Sequence, residues 1–440
     1  MADQLIRNAT IVTMDDEFTV LDRGDVLIRD GCIADVGPGL DGGGAHETDA
    51  SRLWLLPGFV QPHVHLCQTL FRGLAEEMGL LEWLRSRIWP LEAAHDPNSL
   101  SASVRLGIHE LLASGTTCAL DMGTAHHTDV IFDEASALGI RLHAGKAMME
   151  MGDGLPEGLK EKPGTCLRSA VDLARRHHNT ESGRLGYVFC PRFLISVSKE
   201  LFRDIASEAR RMGCRMQTHT SENLDENREV ERRTTMPSLR YLERSRFLGP
   251  DVTLVHVVHI SDDEFSVLAE SKSHVVHCPG SNAKLGSGTA RVPEMLETAI
   301  NVALASDGAP CNNSMSMFKE MRLAGQLQSL RLGPGRLDAQ QIVRMATRGG
   351  AAAMGLSKRI GSIEKGKRAD LVLLDPHMPH SAAPSSDIFT RIVYGMDERN
   401  VASTWVDGEQ LYDGEAVRGV DDAALVAEAR RELEKLLERL

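Results

Sequence analysis

Hydrophobic and polar positions follow two regimes along the chain. Near both ends, apolar residues come in short β-rich runs broken by glycines. Leu5–Val12, Asp25–Ile28 and Cys32–Val36 open the chain; Ala369–Leu374, Val401–Val406 and Gln410–Tyr412 come near its end. So few short strands bury too little surface to stand alone. They predict one small composite β-domain, residues 1–56 with 362–440. The last stretch, Asp421–Leu440, has a helical stripe with Leu425, Leu433, Leu436, Leu437 and Leu440 on or near it.

Between the ends, strand-like runs alternate with amphipathic segments. The runs are Trp54–His65, Thr116–Met122, Arg141–Met149, Arg184–Pro191, Arg215–His219, Val252–His256, Ser273–Pro279 and Ile300–Asp307. Segments of helical period separate them, among them Ser99–Ala113, Lys199–Met212 and Asp262–Glu270. Eight strands alternating with helices predict an α/β protein, a (β/α)8 TIM-type barrel over residues 57–361.

Composition narrows the function. The 440 residues carry 49 basic and 62 acidic side chains, a net charge of −13, and only 4% aromatics. That balance argues against a nucleic-acid or anionic-membrane surface. No leader pattern opens the sequence, and no apolar run reaches the ~20 residues of a membrane span. The eight cysteines are scattered without a Cys-x-x-Cys pair. Reduced thiols in the cytoplasm are expected, not a disulfide framework or thiolate zinc site.

Candidate chemistry collects at strand ends. His63 and His65 flank Val64 at the end of the first run, and the strand period of two puts both imidazoles on one face. Such a pair is half a metal site, though it also occurs by chance on surfaces. His219 ends the fifth run, and Glu222 follows in the next loop, as an acid–base group or as a first-turn helix residue. Asp307 ends the eighth run, as a ligand or an Asx turn; His256 ends the sixth, where a satisfied core histidine is the plain alternative. In a closed barrel, strands one and eight are neighbours. His63, His65, His219 and Asp307 then converge, with Glu222 and His256 on the same rim, where such barrels keep their chemistry.

These segments resemble the amidohydrolase superfamily, in its branch of cytosine-, purine- and triazine-acting hydrolases. The resemblance rests on Pro57–His65, on Thr218–Glu222, on Ser306–Ala309 and on Gly361–Val372, and it runs over essentially the whole chain. It implies one divalent metal ion held by His63, His65, His219 and Asp307, with zinc first and iron or manganese as alternatives, and no organic cofactor. Binuclear members carry a lysine at the end of strand four. Here that strand reads Gly186–Arg192 without one, and Lys146 lies on strand three. The resemblance assigns Asp307 as acceptor of the water's proton and Glu222 as shuttle to a ring nitrogen. It assigns His256 to steady the developing oxyanion.

The same resemblance points to a small-molecule nucleoside or nitrogen heterocycle as substrate. Glu92 lies 27 residues after His65, where adenosine-type deaminases of the branch bind ribose hydroxyls; Trp83 would line the pocket. Arg192 instead stands where guanine deaminases place an arginine on a purine acceptor. The adenosine-type reading covers 5′-deoxyadenosine, methylthioadenosine, S-adenosylhomocysteine or adenosine. The alternatives are an oxo-purine or pterin deaminase and an aminotriazine or pyrimidine hydrolase. Membership is also compatible with a homo-oligomer. His259, His277 (expected to tighten the metal-site rim) and the pair His126–His127 stay unassigned, and Gly286-Ser287-Gly288 is too short for a phosphate cradle.

Overall fold

The computed structural model describes residues 3–382 and 387–440. Five strands precede the barrel: β1 (Gln4–Val12), β2 (Val20–Arg29), β3 (Cys32–Gly37), β4 (His46–Asp49) and β5 (Trp54–Pro57). The barrel strands follow. They are β6 (Phe59–His65), β7 (Thr116–Met122), β8 (Arg141–Gly145), β9 (Ala147–Met148), β10 (Leu185–Pro191), β11 (Arg215–Thr220), β12 (Val252–His256), β13 (His274–His277), β14 (Val302–Leu304) and β15 (Asp307–Gly308). Near the end come β16 (Leu371–Leu374), β17 (Val401–Val406) and β18 (Glu409–Tyr412).

The first sheet has the order β18-β17-β16-β5-β1-β2-β3, so strands from both chain ends share it. The second runs β14-β13-β12-β11-β10-β8-β7-β6-β15, all parallel. The expected eighth strand is divided between β14, which pairs with β13, and β15, which pairs with β6. Together the two halves close the barrel. At the break, Ser306 N–H donates to Gln61 Oε1 at 3.0 Å, so a side chain replaces a ladder partner.

Two runs read as single strands from sequence are divided as well. Trp54–His65 splits at Gly58, with β5 in the composite sheet and β6 in the barrel. A Cβ on Gly58 would lie 2.1 Å from the Thr117 side chain, so only glycine fits this corner. Arg141–Met149 splits at Lys146, whose Nζ donates to Glu161 (2.7 Å) and Ser169 (2.7 Å).

A buried ion cluster joins the two sheets. Arg141, fully buried at the start of β8, grips Asp370 with Nε at 2.7 Å and Nη2 at 2.9 Å. It also meets Asp407, which pairs in turn with Arg368. The final helix, Asp422–Leu437, packs on the helix Pro97–Ala113 through Leu436, Ala429 and Ala102. Leu437 and Leu440 fall outside this contact, 43% and 63% exposed, so the stripe is narrower than the sequence suggests. Among the described residues, no helix is long and apolar enough to cross a membrane.

Removing one partner of a buried ion pair strands the other charge and costs ~3–5 kcal/mol. Asp370→Asn should therefore lower the unfolding free energy by that order, read as a lower urea midpoint. A midpoint equal to that of the unaltered protein would show that the cluster does not join the sheets.

Candidate active site

His63 and His65 project from the end of β6, His219 from β11 and Asp307 from β15, all buried. Each imidazole is oriented through Nδ1. The acceptors are Gln217 Oε1 for His63 (2.8 Å), Met122 O for His65 (2.7 Å) and Arg192 O for His219 (2.8 Å). An imidazole that donates from Nδ1 is bare at Nε2 when neutral. Those bare nitrogens face one another: His65 Nε2 and His219 Nε2 are 3.3 Å apart. Asp307 Oδ1 lies 3.2 Å from His63 Nε2 and 3.5 Å from His65 Nε2. The four ligand atoms all lie within 4.8 Å of one another.

Burial and the neighbouring imidazole push His65 down to about 3. Burial and the other imidazoles push His219 well below its ordinary value. Burial opposes the charge on Asp307, but the bond to His63 and the surrounding imidazoles hold it well below the usual carboxylate range. Burial disfavours the charged forms of His65 and His219, whose Nε2 atoms crowd with His63 Nε2 and the Asp307 carboxylate into one buried cluster. A cation resolves that crowding, and a three-nitrogen, one-oxygen set suits a divalent transition metal.

Glu222 and His256 complete the rim. Glu222 Oε2 stands 3.3 Å from His256 Nε2, and Oε1 accepts from Ser287 Oγ at 3.1 Å. Burial, then the charges of Asp307 and Glu226, push the Glu222 carboxyl well above its ordinary value. Burial pushes His256 down to about 4; its Nδ1 pairs with the Asn282 side chain at 2.9 Å. Asp307 Oδ2 accepts from Ser281 Oγ at 2.8 Å.

The backbone is strained at the same strand ends. Ser221 (φ 54°), His256 (75°), Val257 (49°) and Asp307 (64°) all adopt left-handed conformations. Each costs about 1 kcal/mol or more for a non-glycine residue, most for β-branched Val257. They turn the chain sharply off the strands and aim the side chains inward.

The substrate-pocket candidates sit differently from the sequence expectation. Arg192 and Glu92, read separately in the sequence, lie together in the structure. They are partners, both almost fully buried, in a two-pronged ion pair with Nη2 2.9 Å from Oε1. Burial opposes the Glu92 charge, and Arg192 overrides it and holds the carboxylate below its ordinary value. Gln68 Nε2 also donates to Glu92 Oε1 at 2.7 Å. A small cavity lies over the histidines. Its wall includes Trp83, Leu80, Gln68, Arg192, Phe193 and Leu285, and Glu92 stands behind Gln68 and Arg192.

Several supporting residues were not picked out from the sequence. Gln217, which orients His63, precedes His219 by two, so strand period alone marks it as sharing that face. Ser281, Asn282 and Ser287 carry no local signal, because their contacts are long-range. Of the unassigned histidines, His277 is buried on β13 with neither ring nitrogen hydrogen-bonded, so it does not brace the rim through a bond. His126 bonds Gly158 O at 2.7 Å in a separate cleft.

A parallel barrel with four such donors at the C-terminal ends of its strands defines a metal-dependent hydrolase. Residues 54–411 match the amidohydrolase family, and the chain belongs to it. It is 33% identical, over 100% of its length and 99% of the relative's, to a protein of Methanosarcina acetivorans named 5′-deoxyadenosine deaminase. It is 31% identical to a 5-methylthioadenosine/S-adenosylhomocysteine deaminase of Bacillus thuringiensis, covering 96% and 97%. Among solved structures it is similar to a zinc-bound adenosine deaminase from Xanthomonas campestris. There the TM-score is 0.93 at 28% identity, with 99% of both chains covered.

Loss of a partner that orients a metal-binding histidine typically costs 10–100-fold in metal affinity. Gln217→Leu should weaken zinc retention by about that factor in chelator competition. Retention equal to that of the unaltered chain would remove Gln217 from the site.

Proposed function

We propose that the protein is a hydrolytic deaminase of adenosine-type nucleosides, converting 5′-deoxyadenosine or a close analogue and water to the inosine analogue and ammonia. The observation that carries this reading is the buried convergence of His63, His65, His219 and Asp307 with Glu222 and His256 on the same rim, at one cavity. Glu222 as proton donor and Asp307 as proton acceptor thus stand on the same site.

His63, His65, His219 and Asp307 hold one divalent ion, Zn2+ in this reading. Such an ion supplies Lewis acidity that lets water ionise near neutral pH. Asp307 takes a proton from the attacking water. Glu222 gives its proton to the ring nitrogen beside the amino-bearing carbon, which makes that carbon electrophilic. His256, fixed by Asn282, steadies the oxygen as it adds. Asp307 passes its proton to the departing amine, ammonia leaves, and the proton of the new hydroxyl returns to Glu222, which leaves the inosine-type carbonyl and restores both carboxyl groups.

Glu92, kept ionised by Arg192, is the acceptor for the ribose hydroxyls, and Trp83 packs over the bound nucleoside. Arg192 lines the cavity with its Nε–H unpartnered among the described residues, so a guanine-type carbonyl remains the alternative ligand for this wall. Eight cysteines without disulfide partners fit the cytoplasm.

Ammonia release by the zinc-loaded protein tests the reading on 5′-deoxyadenosine, methylthioadenosine, S-adenosylhomocysteine, adenosine, adenine, guanine and an aminotriazine. Nucleosides should turn over and free bases should not; turnover of guanine alone would sink the proposal. Glu222→Gln should lower kcat about 100-fold or more with metal content unchanged. Glu92→Gln should raise KM for the nucleosides roughly tenfold, the worth of a hydrogen bond to a charged group.

A further inference from the structure

One ten-residue segment touches every proton-handling group of the site. It runs from Pro279 to Gly288, beyond β13. Ser281 Oγ donates to Asp307 Oδ2 at 2.8 Å, the Asn282 side chain meets His256 Nδ1 at 2.9 Å, and Ser287 Oγ donates to Glu222 Oε1 at 3.1 Å. All three residues are buried. The segment is tied together internally, since Ser287 N–H donates to Asn282 O at 2.8 Å.

The end of this segment is braced from the opposite loop. His259 donates from Nε2 to Ser287 O. His259 is itself fixed: its N–H donates to Ser221 O at 2.9 Å, and its carbonyl accepts from Asn227 Nδ2 at 2.7 Å. The turn that carries Glu222 therefore anchors the histidine that anchors Ser287. Gly288 follows with φ 116°, where a Cβ would come 3.3 Å from His259 Nε2, so glycine lets the imidazole approach.

We propose that Pro279–Gly288 is a positioning bracket for proton transfer, in which Ser287, braced by His259, selects the working oxygen of Glu222. Ser287 occupies Oε1. Oε2 is left towards His256 and the substrate, so the proton is delivered from one oxygen in one geometry. Ser287 and His259 touch no reacting atom and act only through Glu222. This gives a role to His259 and to the Gly-Ser-Gly turn, and it rests on Glu222 being the proton carrier.

A double-mutant cycle on the zinc-loaded full-length protein tests it, with ammonia release from 5′-deoxyadenosine as the rate and Glu222→Gln as control. Ser287→Ala should lower kcat about tenfold, leave KM within about twofold, and leave zinc content and the thermal midpoint unchanged. His259→Ala should give a similar kcat loss. The double variant should be no slower than the slower single variant, because both act through one contact. An inactive Glu222→Gln with unaltered kcat in Ser287→Ala would overturn the bracket and leave the deaminase reading standing. Multiplying losses in the double variant, or losses that follow zinc content, would also overturn it. Full activity in Glu222→Gln would overturn the bracket and the proton-carrier reading together.

Discussion

Asp307 reaches His63 only because Asp307–Gly308 pair with Val64–His65 as the last bond of the barrel. Closing that seam brings a carboxylate from late in the chain to two imidazoles from its first quarter. The interruption of the eighth strand is part of the same event. An unbroken strand would run past β6 in regular register, whereas the left-handed backbone at Asp307 turns the side chain inward. The buried Arg141–Asp370–Asp407–Arg368 cluster joins the composite sheet to the start of β8, at the opposite end of the strands from the histidines. The terminal sheet therefore steadies the barrel without touching its chemistry.

Electrostatics divides the labour among the acids. Asp307 and Glu222 share one cavity and are buried alike, yet they are pushed in opposite directions. The surrounding imidazoles outweigh burial and lower Asp307, whereas burial, with the nearby charges of Asp307 and Glu226, raises Glu222. Glu92 is a third outcome, a buried carboxylate kept ionised by a full counter-charge. One residue chemistry gives three states because each side chain has different neighbours.

Much of this architecture was legible in the sequence. Period-two spacing put His63 and His65 on one face, and alternating runs gave the barrel. His219 and Asp307 stood at run ends, where the structure also has them. What escaped was long-range or steric. Gly58 divides a run that reads as one strand, because the Thr117 side chain leaves no room for a Cβ. The Glu92–Arg192 pair spans 100 positions, so its two members read as signs of different substrates. Ser281, Asn282 and Ser287 sit on a segment whose meaning depends on three other loops.

Arg192 stands where two of these systems meet. Its carbonyl orients His219, and its guanidinium neutralises Glu92. A lineage exploring new substrates by altering this position changes the polar wall of the pocket while the backbone beneath it must stay still. Drift at one codon is thereby judged twice, once by what the pocket admits and once by whether the third imidazole still points at its neighbours. Diversification of the pocket is freer along Leu80, Trp83 and Leu285, which line the same cavity and have no hydrogen bond to His63, His65 or His219.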